Sequence, residues 1–150
     1  MNGSQRSQFV YVIYIKTTPE QLWGALTDPT FIPTYWLGSS VASSFEKGAS
    51  WTLKKADGET DTVGEILEIT PPRKMVIRWQ NQRIPELAAD GPSRCTLELE
   101  PQADAVKLTI THEIERSPSK LIEAVSGGWP LVLSNLKSVL ETGAAVIRAR

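Results

Sequence analysis

Two residue types that often carry chemistry are almost missing from this chain of 150 residues, which has one cysteine, Cys95, and one histidine, His112. A lone cysteine excludes an intrachain disulfide and fits a reducing, cytoplasmic setting. No apolar run is long enough to cross a bilayer. The longest, Phe9 to Ile15, has seven residues, against about 20 for a transmembrane helix. It also fails as a signal-peptide core, because Lys16 closes it and no small-residue cleavage site follows. Neither sign of charge dominates: Lys and Arg number 16, Asp and Glu 17, and the net charge is −1. That balance argues against nucleic acid or an anionic membrane as the main partner. No Gly-x-Ser-x-Gly elbow, phosphate loop or dinucleotide-type glycine pattern occurs. Internal repeats, low-complexity tracts and linkers are absent as well.

What remains is a balanced globular composition, 41% hydrophobic and 22% charged. The length suits one domain, 1–150, and a chain of this size buries roughly 70% of its unfolded surface without a metal or disulfide staple. Residues 1–8 are polar and read as a loose leader. Residues 9–16 are β-branched and aromatic and read as a strand apolar on both faces. Thr18, Pro19 and Gln21 form a helix start, with an N-cap, a proline in the first turn and a capping-box glutamine. Asp28-Pro29 ends that helix. Residues 30–36 form a second short helix. From about 41 to 115 the pattern is that of antiparallel strands, six in all, including 50–55, 62–70, 74–81, 95–100 and 105–115. Asp57-Gly58 marks a hairpin turn, and 81–94 reads as a long loop. Ser117 caps a short turn at 118–126. Gly127-Gly128 then interrupts, and Trp129-Pro130 opens a longer helix to about Thr142, where Gly143 offers a C-cap, though Ala144 to Ile147 could extend it. With no alternation of strands and helices, the fold class is α+β: an antiparallel sheet curved around a closing helix.

Side-chain alternation separates the faces of these strands. Val106, Leu108, Ile110, His112 and Ile114 share one face, so the single histidine points inward. Met75, Ile77 and Trp79 point inward, as do Trp51 and Leu53. The strand at 62–70 does not sort cleanly, because Val63, Leu67 and Ile69 share parity with Glu65 while Ile66 lies opposite. A bulge or an exposed edge would account for this. On the last helix, Trp129, Val132, Leu133, Leu136, Val139 and Leu140 form an apolar stripe, with Asn135 among the residues of the polar face.

These residues resemble a known family. Thr18-Pro19-Glu20-Gln21-Leu22-Trp23, with Leu26-Thr27-Asp28-Pro29 and Trp36, resembles the opening of a START-like helix-grip (SRPBCC) domain. Gly64-Glu65-Ile66-Leu67-Glu68-Ile69 running into Pro71-Pro72-Arg73 and Trp79, and Gly128-Trp129 leading into Leu133 and Leu136, fit the same pattern. The branch it is most similar to is the C-terminal domain of the activator of the heat-shock protein 90 ATPase, over about residues 9–143. The resemblance implies a curved seven-stranded antiparallel sheet gripping a long C-terminal helix, two short helices after the first strand, and a cavity between sheet and helix. It also implies hydrophobic-ligand binding.

The motifs then sort as follows. His112-Glu113 lacks the second histidine of a zinc-protease pattern and lies on a strand, so no metal or cofactor is expected. Asp57, Glu59, Asp61 and Glu68 lack the glycine and flanking helices of a calcium loop and read as a solvated hairpin tip. Arg73, Lys74, Arg78 and Arg83 read as a solvated turn and outer face. His112 is either a hydrogen-bonded core residue or the polar anchor of an apolar pocket. Trp36, Trp51, Trp79 and Trp129 are either core or cavity wall. With Leu133 and His112 they are the candidate ligand-binding residues. The expected function is non-catalytic binding of a small hydrophobic or aromatic molecule; the alternatives are a polyketide cyclase- or hydratase-type enzyme using His112 and Glu65, and an interaction protein with a chaperone partner or a homodimer interface.

Overall fold

The computed structural model describes residues 5–148. Seven strands form one antiparallel sheet: β1 (Ser7–Ile15), β2 (Ser40–Ala42), β3 (Ser50–Lys54), β4 (Thr60–Thr70), β5 (Lys74–Asn81), β6 (Ser93–Gln102) and β7 (Ala105–Ile114). Their spatial order is β1-β7-β6-β5-β4-β3-β2. The helices are α1 (Pro19–Thr27), α2 (Pro85–Ala88) and α3 (Lys120–Thr142), with a single 3-10 turn at Ile32–Thr34. The curved sheet grips α3, so the expected helix-grip α+β architecture is the one found. No helix among the described residues is long and apolar enough to cross a membrane.

Local chemistry explains the elements near the start. Thr18 caps α1 by accepting from the Gln21 N–H at 3.1 Å, and Leu22, Ala25 and Leu26 bury its inner face. β1 starts at Ser7 and so takes in two residues read as leader, whose first four residues lie outside the described residues. β1 is an edge strand, and Val10, Val12 and Tyr14 stand exposed on its outer side. Its far end is closed by α3. The Lys137 ammonium donates to the Tyr14 carbonyl at 2.7 Å, and Glu141 accepts from the Lys16 N–H at 2.8 Å. Lys137 and Glu141 also pair with each other at 2.7 Å.

Two local readings need correction. First, α3 is one continuous helix, capped by Ser119 rather than Ser117, with the Ile122 N–H donating to the Ser119 hydroxyl at 3.1 Å. Each mid-helix glycine costs about 1 kcal/mol and Pro130 removes a hydrogen bond. Burial of Leu121, Ile122, Trp129, Leu133 and Leu136 against the sheet outweighs both. Asp90 reinforces the start of the helix, accepting from the Leu121 N–H at 3.0 Å and the Ser119 hydroxyl at 2.8 Å. Burial pushes the Asp90 carboxyl up, but those bonds and the Arg116 charge prevail and hold it below the usual carboxylate range. The helix ends at Thr142, with the expected cap at Gly143, and does not run on to Ile147. Gly143 adopts a left-handed φ of 87° and ends it, its N–H donating to the Val139 carbonyl. Second, Asn135 is buried, not on the polar face.

The ambiguous strand is resolved by a bulge. β4 slips register against β5 between Ile66 and Glu68. Thr62 and Ile66 face the core ahead of the slip, and Ile69 packs against it beyond. Glu65 therefore lies on the outer face, 3.8 Å from Arg78.

Candidate functional site

Four indoles meet on the inner face, two of them over one glycine. Trp51 on β3 and Trp79 on β5 both lie opposite Gly64 on the strand between them. With no side chain in the way, the two rings close over it to a centroid distance of 5.0 Å. A Cβ at Gly64 would come within 1.9 Å of the Arg78 carbonyl oxygen, so any other residue forces the backbone there to move. Trp36 adds to the group at 6.3 Å from Trp51 and 5.4 Å from Trp129, and Trp129 lies 5.8 Å from Trp79. The His112 ring meets Trp79 edge-on at 5.1 Å.

His112 is fully buried, and both of its ring nitrogens are engaged. The Trp129 indole can only donate, so Nδ1 accepts from it at 3.2 Å. Nε2 therefore carries the proton and donates to the Ser93 hydroxyl at 2.8 Å. Ser93 in turn donates to the Trp79 carbonyl at 3.3 Å. Burial pushes the imidazole pKa down to about 4, so the ring is neutral at pH 7. This chain of bonds joins α3 to three neighbouring strands.

Beside the indoles lies a cavity of about 720 Å³. It opens between the β3–β4 hairpin, the segment after β5, the first half of α3 and the chain segment beyond α3. Trp36, Trp79 and Trp129 form its aromatic wall. On α3, Leu121, Val125, Gly128 and Val132 recur at helical spacing along another wall. Nothing beyond the helix itself lies within 4 Å of where a Cβ on Gly128 would stand. The segment beyond α3 reaches the cavity because Asn135 clips it there. Its amide donates to the Ile147 carbonyl and accepts from the Ile147 N–H, both at 2.8 Å. The polar groups of the mouth include Asn81, Asp61 and Arg83. Asp61 and Arg83 pair through Nε at 2.8 Å.

A family model described as activator of Hsp90 ATPase homolog 1-like protein matches residues 16–141. The chain belongs to this activator-like family. Among curated proteins none matches its sequence. Solved structures of low identity share the fold. CalU16 from Micromonospora echinospora is 18% identical with a TM-score of 0.73, over 95% of this chain and 88% of that one. An HSP90 activator from Plasmodium falciparum is 24% identical with a TM-score of 0.73, over 93% and 97% of the two chains. The Aha1 dimer from Colwellia psychrerythraea is 20% identical with a TM-score of 0.74, over 91% and 98%.

In this activator-like domain the six candidate residues divide. Trp36, Trp79 and Trp129 line the large cavity. Trp51 and Leu133 lie in the layer behind, bordering a void of only about 20 Å³. His112 lines neither space. Glu65, the other half of the acid–base pair that catalysis would want, faces solvent. No group of three His, Cys, Asp or Glu side chains among the described residues is arranged to hold a metal. The Cys95 thiol is buried, which pushes its pKa up and leaves it protonated. Sequence reasoning missed Asn81, Asp61 and Ile147, and read Arg83 as a solvated surface charge. The inward parity of Met75, Ile77 and Trp79, carried two residues further, would have reached Asn81.

Proposed function

We propose that this activator-like domain binds a small hydrophobic or aromatic molecule, without catalysis, in the cavity between the sheet and α3. The observation that carries the reading is an open space of about 720 Å³ lined mainly by apolar side chains, Trp36, Trp79 and Trp129 among them. A flat ligand of two fused rings has about 250 Å² to bury there, on the order of 6 kcal/mol before ordering costs. The engaged nitrogens of His112 and the outward Glu65 support binding over acid–base chemistry. The test is a titration with Nile red, a neutral flat dye, read by its emission and by tryptophan quenching. The control is Gly128→Leu, which places a side chain in the cavity and improves helix propensity. Wild type should bind saturably. The variant should bind at least tenfold more weakly while melting at or above the wild-type temperature. No binding by wild type, or equal binding by both proteins, would overturn the proposal.

A second reading draws on the family match and on the Plasmodium relative described as an HSP90 activator: partnership with a chaperone ATPase. Co-sedimentation with a purified chaperone ATPase, and a change in its turnover, would separate this reading from ligand binding.

A further inference from the structure

The cavity mouth holds hydrogen-bond donors that the protein itself leaves unused. Asn81 ends β5 with its side chain 96% buried (4% exposed) against the cavity. Its Oδ1 accepts from the backbone N–H groups of Arg83 at 3.1 Å and Ile84 at 2.8 Å. Those two donors fix which amide atom is oxygen. The Nδ2 group is thereby committed, and no acceptor among the described residues meets it. A buried donor without a partner is expensive and uncommon in folded proteins.

Arg83 lies two residues on, beside the same cavity. Its backbone is held by Asn81 and its Nε by Asp61 at 2.8 Å. Asp61 is itself steadied by the Thr62 hydroxyl, which donates to its Oδ2 at 2.9 Å. Among the described residues that Nε bond is the only hydrogen bond of the guanidinium, so its terminal N–H groups are oriented and free. The mouth also carries Lys55 and Arg148 against Asp57 and Asp61, which leaves one positive charge in excess.

Resting on the proposed binding function, we infer that the ligand is a carboxylic acid with a flat apolar body, its carboxylate held by Asn81 Nδ2 and the Arg83 guanidinium. Two oxygens in a plane suit a guanidinium edge with an amide beside it. The Arg83 side chain keeps 29% of its surface exposed, which spares the anion full desolvation, while the rings lie against the indoles.

Calorimetric titration at pH 7 with naphthoic acid and naphthamide tests this. The two probes share a body and differ in charge. Wild type should prefer the acid at least tenfold. Arg83→Gln should bring the acid to within about threefold of the amide. Asn81→Asp keeps the acceptor for the two backbone N–H groups but replaces the free donor with a negative charge, and should reverse the preference. The wild-type comparison needs no variant to fold. If wild type binds acid and amide equally, or if both variants keep the preference, the acid inference falls while the apolar pocket stands. If neither probe binds, the pocket reading falls and takes this inference with it.

Discussion

Mild acid should weaken this fold through one residue. His112 is neutral and fully buried, with its Nδ1 lone pair accepting the Trp129 N–H. Burial holds its pKa at about 4, against 6.5 for a free imidazole. Between those values the unfolded chain takes up a proton that the folded chain refuses. The contribution to stability is therefore full above pH 6.5, shrinks as the pH falls, and is gone below about 4. Each pKa unit is worth about 1.4 kcal/mol, so the whole gap is about 3 kcal/mol. Between pH 7 and pH 5 the loss is about 2 kcal/mol. At roughly 3 °C per kcal/mol for a domain of this size, that is about 6 °C in Tm. Asp28, Asp90 and Glu141 are held below their free values of 3.8 and 4.5, so the stability they add is lost mainly below pH 5. Thermal melts followed by tryptophan emission at pH 7 and 5, on wild type and His112→Gln, measure the effect. The glutamine amide can still accept from Trp129 and donate to Ser93 but cannot titrate. Equal wild-type Tm values at the two pH values, or an equal drop in the variant, would refute the reasoning.

Two further perturbations probe the frame of the site. Gly64→Ala would set a Cβ 1.9 Å from the Arg78 carbonyl oxygen. Denaturant unfolding should show a loss of about 3 kcal/mol, at the high end for overpacking, because backbone rather than a side chain must move. Asn135→Ala would leave the Ile147 N–H and carbonyl without their partner. Hydrogen exchange at the Ile147 amide should speed up at least tenfold, while the amides of β6 and β7 keep their protection.

Much of this arrangement was legible in the order of the residues. β7 alternates cleanly, so His112 could be placed inside before any coordinates. The cap at Thr18 and the turn at Asp57-Gly58 rest on local chemistry and were read correctly. The failures are places where distant packing overrules local signals. Gly127, Gly128 and Pro130 all argue for a break, yet burial of Trp129 and Leu133 carries α3 straight through them. The conflict around Glu65 was visible, but a bulge and an exposed edge explain it equally well until the β4–β5 register is known. At the site, the inward indoles followed from parity. Asn81 and Asn135 did not, because a polar side chain on a strand or helix is read as solvated by default. Ile147 reaches the cavity only through a turn-back at Gly143 and a clip at Asn135, twelve residues earlier. Neither is a pattern in neighbouring residues.

The bridge from Lys137 and Glu141 to the rim of β1 has a consequence for colloidal behaviour. A bare lateral strand carrying Val10, Val12 and Tyr14 is the sort of template on which further chains stack into fibrils. At Tyr14 and Lys16 the backbone groups such growth requires are already taken by the ammonium and the carboxylate. The plug shortens the sticky rim and puts charge at its end, so the same helix that closes the bowl also works against stacking along its side.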